Sequence, residues 1–310
     1  MKNTLAILLA LALAGTAPAQ QKAAPADELA PPLEQWLRDN FDESVLEALS
    51  DIDQERVGQF FTELQRRFAG TSVYELGSLK ETASRLLPVL QAFEETQPYG
   101  VWLQTHLDYF DTADELRRET RPAPSKPGAA VILPTPSIQL QRTVWNRQLQ
   151  KRPLPPLAQT YVPRVKQIFM SERMPPQLVW VAEVESSFDP QARSPAGAAG
   201  LFQLMPATAR TLSLSAWPRD ERFQPDKNAR AAAKYLRSLY GHYGDWRLAL
   251  AAYNAGEGRV DQLLKQQKAR TFDAIARRLP AETQMYVPKV EATLHKREGV
   301  ALGDLKLPAG

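Results

Sequence analysis

Residues 178–188 read LVWVAEVESSF, and this run sets the expectation for the second half of the chain. We predict one helix over Pro175–Phe188, because proline is tolerated in a first turn and apolar residues recur at helical spacing. At about 100° per residue, Glu185 lies among apolar side chains, whereas Glu183 falls on nearly the opposite side. The apolar residues on the face of Glu185 are Leu178, Val181, Ala182 and Phe188. The run therefore predicts a carboxyl group set into an apolar wall.

This position predicts an unusual acidity for Glu185. Apolar surroundings disfavour the ionised form of a carboxyl group and raise its pKa. A carboxyl group that stays protonated near neutral pH is what general acid catalysis requires. A buried ion pair is the competing interpretation, since perturbed carboxylates are not always catalytic. Glu183 is the rival acid, and its position on the opposite side predicts a surface or supporting group.

Composition narrows the class of protein. The chain has 310 residues, 44% of them hydrophobic, which suffices for two domains with real cores. Its net charge of +3 is not the footprint of a nucleic-acid-binding protein, and it is compatible with an acidic wall polymer. Without cysteine, the chain has no disulfide, thiol nucleophile or cysteine zinc site. The three histidines lie far apart without ligand spacing, so we expect no metal and no cofactor.

The first nineteen residues have the pattern of a secretory signal peptide. Lys2 precedes an apolar run, Leu5–Ala14, and Ala17-Pro18-Ala19 has the shape of a cleavage site. The run is too short to span a bilayer, and no cysteine follows it that could carry a lipid. We therefore expect an exported protein that is soluble after cleavage, with no transmembrane segment, in the periplasm of a bacterium.

The rest of the chain is predicted to be all α. Within its second half, we predict a helix from Pro225 to Tyr240 that stops at Gly241, and a cap at Asp245 for a helix over Trp246–Asn254. The predicted order is a signal peptide (1–19), a smaller helical accessory domain of unknown role (28–120), a proline-rich linker (121–143), a helical domain (144–300) and a tail (301–310).

The accessory domain carries aromatic residues with two interpretations. They could form a sugar-stacking surface, but aromatic residues at such spacing are more often core. These residues are Trp36, Tyr99, Trp102 and Tyr109. A protein partner for this domain is a further expectation.

Four short motifs follow one another in the second half. They read ES at 185–186, GLFQ at 200–203, AYN at 252–254 and ETQMYV at 282–287. Together they resemble the catalytic domain of lytic murein transglycosylases, the soluble-lytic-transglycosylase group of the goose-lysozyme-like superfamily, and the murein transglycosylase D type most closely. The resemblance covers roughly residues 144–298, and all four motifs in this order are specific.

The resemblance implies a lysozyme-like, all-α catalytic domain that acts on peptidoglycan as a carbon–oxygen lyase. Glu185 would be the sole acid/base in cleaving the β-1,4 bond between N-acetylmuramic acid (MurNAc) and N-acetylglucosamine (GlcNAc), with formation of 1,6-anhydro-MurNAc. Ser194 and Tyr286 would orient its carboxyl group. The family positions that bind or line the substrate correspond to Gln203, Met205, Tyr253, Asn254 and Glu282.

Two other functions stay open on sequence alone. A goose-type muramidase would use one glutamate on the same fold and admit water as the acceptor. A non-catalytic peptidoglycan-binding scaffold would only hold the glycan. For Glu282, capping of a helix start is the structural alternative, because a carboxylate is favoured there by the helix dipole.

Overall fold

The computed structural model describes residues 54–92, 96–120 and 133–308. The predicted signal peptide, Trp36 and most of the 121–143 linker lie outside these ranges. Within them, the regular structure is helical, with isolated bridges that pair Ala199 with Arg193 and Leu204. The predicted all-α class is confirmed for this part of the chain. None of its helices is both long and apolar enough to cross a membrane.

The described α-helices are numbered here in chain order. They are α1 (Gln54–Ala69), α2 (Lys80–Ala92), α3 (Gln97–Glu119), α4 (Ile138–Gln150), α5 (Ala158–Ser171), α6 (Val181–Ser186), α7 (Pro206–Thr211), α8 (Pro225–Tyr243), α9 (Trp246–Ala255), α10 (Glu257–Gln267), α11 (Phe272–Ile275) and α12 (Ala281–Glu298). Short 3₁₀ turns lie at Val73–Leu79, Pro176–Trp180, Glu221–Phe223, Ala276–Arg278 and Leu302–Asp304.

The N-terminal helices form an aromatic core. Phe68 of α1 packs edge-on against Trp102 and Tyr109 of α3, and Tyr109 packs in turn against Trp145 of α4. Tyr99, Trp102 and Tyr109 are all buried, as the core interpretation of these aromatic residues predicts. This core also receives side chains from α12, at the other end of the chain.

A second core lies beneath the four sequence motifs. Phe169 of α5 stacks on Phe202, and Trp180 packs edge-on against Phe188. The alanine-rich faces of α8 and α9 pack against each other in this core, since alanine allows two helices to approach closely.

Helix α12 contributes to both cores. Tyr286 and Val290 belong to the second core, while Met285 belongs to the N-terminal one. Between them, the fully buried Lys289 donates hydrogen bonds to the Thr105 carbonyl at 3.0 Å and to Asp108 Oδ1 at 2.8 Å, both on α3. Burial lowers the pKa of Lys289 to about 8. The N-terminal helices are thereby fixed against the helix that carries Tyr286.

Two predicted helices have other bounds. The expected Pro175–Phe188 helix is a 3₁₀ turn followed by the six-residue α6, which ends where Ser187 takes a positive φ. The helix predicted to stop at Gly241 continues through it to Gly244, whose φ of +65° provides the left-handed stop. The cap at Asp245 is confirmed, because its carboxylate accepts the Leu248 N–H at 3.0 Å.

Candidate active site

Glu185 lies in the last turn of α6 and lines a cleft of about 390 Å³. The other polar side chains of α6 are turned away from the cleft. Ser186 is fully buried, and its hydroxyl donates to the Leu201 carbonyl at 2.8 Å, which ties α6 to the loop that follows. Glu185 is the acidic side chain of α6 that lines the cleft.

The carboxyl group of Glu185 is held by one tyrosine. The Tyr286 hydroxyl donates to Glu185 Oε1 at 2.6 Å, the contact expected from the resemblance. Burial raises the pKa of Glu185 to about 8, and the negative charge of Glu282 acts in the same direction. The hydrogen bond from Tyr286 and the positive charge of Lys289 oppose this rise. The balance leaves Glu185 protonated at neutral pH, which fits a general acid.

Glu183 was expected to be a surface or supporting group, and the surface alternative is wrong. Its side chain is 1% exposed and forms a two-pronged ion pair with Arg297, at 2.7 and 2.9 Å. The helical position opposite Glu185 was read correctly, but α12 covers that side of α6. Glu183 is therefore a structural partner of α12 and does not line the cleft.

The loop between Ser194 and Met205 forms one side of the cleft. A β-carbon at Gly200 would lie 2.0 Å from the Arg222 carbonyl oxygen, so this turn requires glycine. The buried Asn228 holds the same turn by accepting the Phe202 N–H at 2.8 Å. The glycine of the GLFQ motif is thus explained by close backbone approach.

Two predicted site residues in this loop hold its backbone. Gln203 Nε2 donates to the carbonyls of Ala192 and Gly200, at 3.0 and 2.9 Å. Ser194 Oγ accepts the Ala198 N–H at 2.9 Å and makes no hydrogen bond to Glu185 in the described structure. Both residues line the cleft, as does Met205, which is 43% exposed. Direct orientation of Glu185 by Ser194, and acetamido binding by Gln203, stay predictions.

The opposite side of the cleft joins α9 to the first turn of α12. Asn254 Nδ2 donates to Glu282 Oε1 at 3.2 Å, and the Thr283 hydroxyl donates to Asn254 Oδ1 at 2.6 Å. Burial raises the pKa of Glu282. The Tyr253 hydroxyl donates to the Phe202 carbonyl at 2.6 Å, which closes the gap between α9 and the loop. Asn254 and Glu282 are thus positioned by each other at the edge of the cleft.

Residues of the N-terminal helices line the same cleft, and among them only Trp102 had been considered for contact with sugar. They are Gln65, Phe68, Ala69, Trp102 and His106. His106 was considered only as a metal ligand, and Trp102 only as core or sugar-stacking surface. Local periodicity carries no signal for such long-range contacts. The described residues contain no group of three or more His, Asp or Glu side chains that could hold a metal ion.

Comparison with known proteins agrees with the motifs. Residues 166–276 match the family model of the transglycosylase SLT domain. Over 138 residues, the chain is 42% identical to membrane-bound lytic murein transglycosylase D of Escherichia coli, a match over 42% of this chain and 30% of that protein. Over 121 residues, it is 38% identical to soluble lytic murein transglycosylase of Salmonella typhimurium, over 36% of this chain and 19% of that protein.

The chain thus spans less than a third of the length of these relatives. A crystal structure of lytic transglycosylase Slt from Pseudomonas aeruginosa, in an inactive mutant form, aligns with 98% of this chain and 53% of its own. Its TM-score is 0.41 and its sequence identity is 19%. The matched family segment contains Glu185, the Ser194–Met205 loop and Asn254, whereas Glu282 and Tyr286 lie beyond it. Residues 166–276 of this chain, fewer than half of its 310, thus match the transglycosylase SLT domain family.

Proposed function

We propose that the protein is a peptidoglycan lytic transglycosylase that cleaves the β-1,4 bond between MurNAc and GlcNAc and releases 1,6-anhydro-MurNAc. The observation that carries this proposal is the carboxyl group of Glu185, which is hydrogen-bonded to Tyr286 and faces a cleft, with burial raising its pKa to about 8. The names of the relatives and the family of residues 166–276 support the same reaction class.

In the first step, Glu185 acts as general acid. Its proton passes to the glycosidic oxygen as the bond from that oxygen to C1 of MurNAc breaks. The positive charge that develops at C1 is stabilised by the oxygen of the sugar's own 2-acetamido group. Most glycosidases use a second carboxylate for this purpose. Glu282 is the other carboxylate in the cleft, and its hydrogen bond with Asn254 holds it at the cleft edge.

In the second step, the same residue acts as general base. The Glu185 carboxylate removes the proton of the C6 hydroxyl, and O6 forms a bond to C1. Glu185 is protonated again, no water is consumed, and the product is an internal anhydro sugar. The Tyr286 hydroxyl stabilises the carboxylate between the two steps, because a hydrogen bond to the charged form favours it.

Other cleft residues would bind the substrate. Tyr253 and Met205 offer apolar surface to sugar rings, and Asn254, with Glu282 beside it, offers amide and carboxyl groups to sugar or peptide stem. The signal-peptide pattern of residues 1–19 supports a periplasmic location, where this substrate lies.

Mass spectrometry of digested peptidoglycan tests this proposal. Purified sacculi are incubated with the mature protein or with the Glu185→Gln variant, and released muropeptides are compared with those made by a hydrolytic lysozyme. We expect products lighter by one water, about 18 Da, with the protein and none with the variant, because Glu185 supplies both proton transfers.

The other outcomes separate the alternatives. Products of full hydrolytic mass would contradict the transglycosylase and support a muramidase that uses Glu185. Wall binding without products from either protein would support the scaffold.

A further inference from the structure

The N-terminal helices reach into the cleft that contains Glu185. Gln65 and Ala69 lie one turn apart on α1, both exposed, while Trp102 and His106 lie one turn apart on α3. We name Gln65, Ala69, Trp102 and His106 the N-terminal wall. From this geometry we propose that the N-terminal wall is a glycan subsite, which contacts a sugar of the strand bound for cleavage. The inference rests on the proposed function in its choice of ligand.

The chemistry of the wall fits an N-acetylated sugar. The rings of Trp102 and His106 stack with centroids 4.1 Å apart, and burial lowers the pKa of His106 to about 3, so this ring is neutral. An aromatic ring edge carries partial positive charge, so it suits the oxygen atoms of a sugar hydroxyl or acetamido group. Among the described residues, Gln65 has no hydrogen-bond partner, and its amide offers both a donor and an acceptor to hydroxyl or acetamido groups. An apolar lining with few polar groups is typical of ligand sites.

The wall is fixed relative to Glu185 rather than loosely docked. The Ala281 N–H donates to the Gly70 carbonyl at 2.6 Å, and Gln284 Nε2 donates to the Thr71 carbonyl at 2.8 Å. Both donors belong to α12, the helix of Tyr286. These bonds hold the end of α1 against the first turns of α12.

A second pair of contacts fixes α3. The Arg193 N–H donates to the Pro98 carbonyl at 3.2 Å, beside the loop that begins at Ser194. Lys289 of α12 holds the middle of α3 through Asp108. Because the wall is anchored on both sides of the cleft, it is preorganised to contact a bound strand, and a preorganised contact contributes more affinity.

Binding measurements on a protein that cannot turn over test the inference. All variants are made in the Glu185→Gln protein, which is the parent for comparison. The probe is a purified peptidoglycan tetrasaccharide with its peptide stems, and its binding is measured by calorimetry. Ala69→Arg adds a long side chain to an exposed helix end and should weaken binding about ten- to a hundredfold, through obstruction of the cleft. Gln65→Ala removes one amide and should weaken binding about two- to tenfold.

The matched control is Thr82→Arg, an exposed residue of α2 that does not line the cleft. It should bind the tetrasaccharide within about twofold of the parent, since one long cation far from the cleft adds no contact. Circular dichroism melts establish that each variant is folded. Equal affinity in the parent and in both wall variants would overturn the inference and leave the proposed function intact. A parent that does not bind the tetrasaccharide would contradict both.

A transglycosylation assay with the active protein, which has Glu185 in place, distinguishes the subsite from the proposed reaction. If the wall variants bind more weakly and the active protein releases hydrolytic products, the subsite stands and the proposed reaction does not. In the active protein, we expect the wall variants to raise KM and to leave kcat within about threefold, because they lie outside the reacting atoms.

Discussion

Glu183 and Glu185 are the same side chain, two residues apart on one six-residue helix, in opposite environments. Glu183 is buried against Arg297, which offers two charged hydrogen bonds. Glu185 faces the cleft with one neutral donor, Tyr286, and burial raises its pKa to about 8. The difference shows that the partner, and not burial alone, decides whether a carboxyl group becomes a structural anion or an acid.

The largest expected effect is on the rate of turnover, which should depend on Glu185 far more than on Glu183. Glu185→Gln should lower turnover about a hundred- to ten-thousandfold, because the amide is neither acidic enough to donate a proton nor basic enough to accept one. The measurement is the initial rate of muropeptide release from sacculi at neutral pH. Glu183→Gln is the matched control, and its rate per folded molecule should stay within about tenfold of wild type. Similar losses in the two variants would remove the distinction.

Disrupting the ion pair between Glu183 and Arg297 should lower the free energy of unfolding. Arg297→Met leaves the charge of Glu183 buried without a partner, which should lower the free energy of unfolding by about 3–5 kcal/mol. Urea unfolding at neutral pH measures this change. The double variant Glu183→Gln with Arg297→Met should recover part of the loss, because it removes the isolated charge. A single variant as stable as the double one would contradict the assignment.

The raised pKa of Glu185 predicts a stability cost that grows with pH. Between pH 4.5, the ordinary pKa of a glutamate, and about pH 8, Glu185 keeps its proton in the folded protein and has lost it in the unfolded chain. The contribution of Glu185 to the free energy of unfolding is therefore fully present below about pH 4.5 and is lost as pH rises through about 8. Glu185→Gln should be the more stable protein at pH 8, by about 1.4 kcal/mol or more, the free energy of one pKa unit. A stability difference that is equal at pH 4 and pH 8 would contradict the raised pKa.

The smallest expected effect concerns the hydrogen bond from Tyr286. Because this bond favours the ionised carboxylate, Tyr286→Phe should raise the pKa of Glu185 further and move the alkaline limb of the pH–rate profile upward. Turnover should fall about three- to tenfold as the carboxyl group loses its orientation. A pH series of initial rates measures both changes. A downward move of the limb would show that Tyr286 acts in another way.

The sequence predicted the acid better than it predicted its setting. Apolar spacing placed Glu185 and Glu183 on opposite sides, although the expected helix begins with a 3₁₀ turn. The contact with Tyr286 was predicted only from the family resemblance, since 101 positions separate the two residues. Arg297, which buries Glu183, lies still further along the chain. Helical periodicity describes one helix and has no information about which distant helix covers it.

The lack of tertiary information in a single sequence also explains why the end of α8 and the N-terminal wall were not predicted. Gly241 and Gly244 are equivalent as stop signals, and only the backbone shows that Gly244 takes the left-handed conformation. Gln65 had no local feature that pointed to a cleft, because it approaches the cleft through the packing of α1 on α12. These features follow from tertiary contacts that a single sequence does not display.

The position of α12 in both cores has a consequence for how the protein folds. Its Met285 side completes the N-terminal core, and its Tyr286 side completes the core beneath the motifs. Neither half can bury its apolar surface without α12, which is synthesised after the other described α-helices. We therefore expect the described helices to melt in one cooperative transition, and a nascent chain that lacks α12 to remain a client of chaperones.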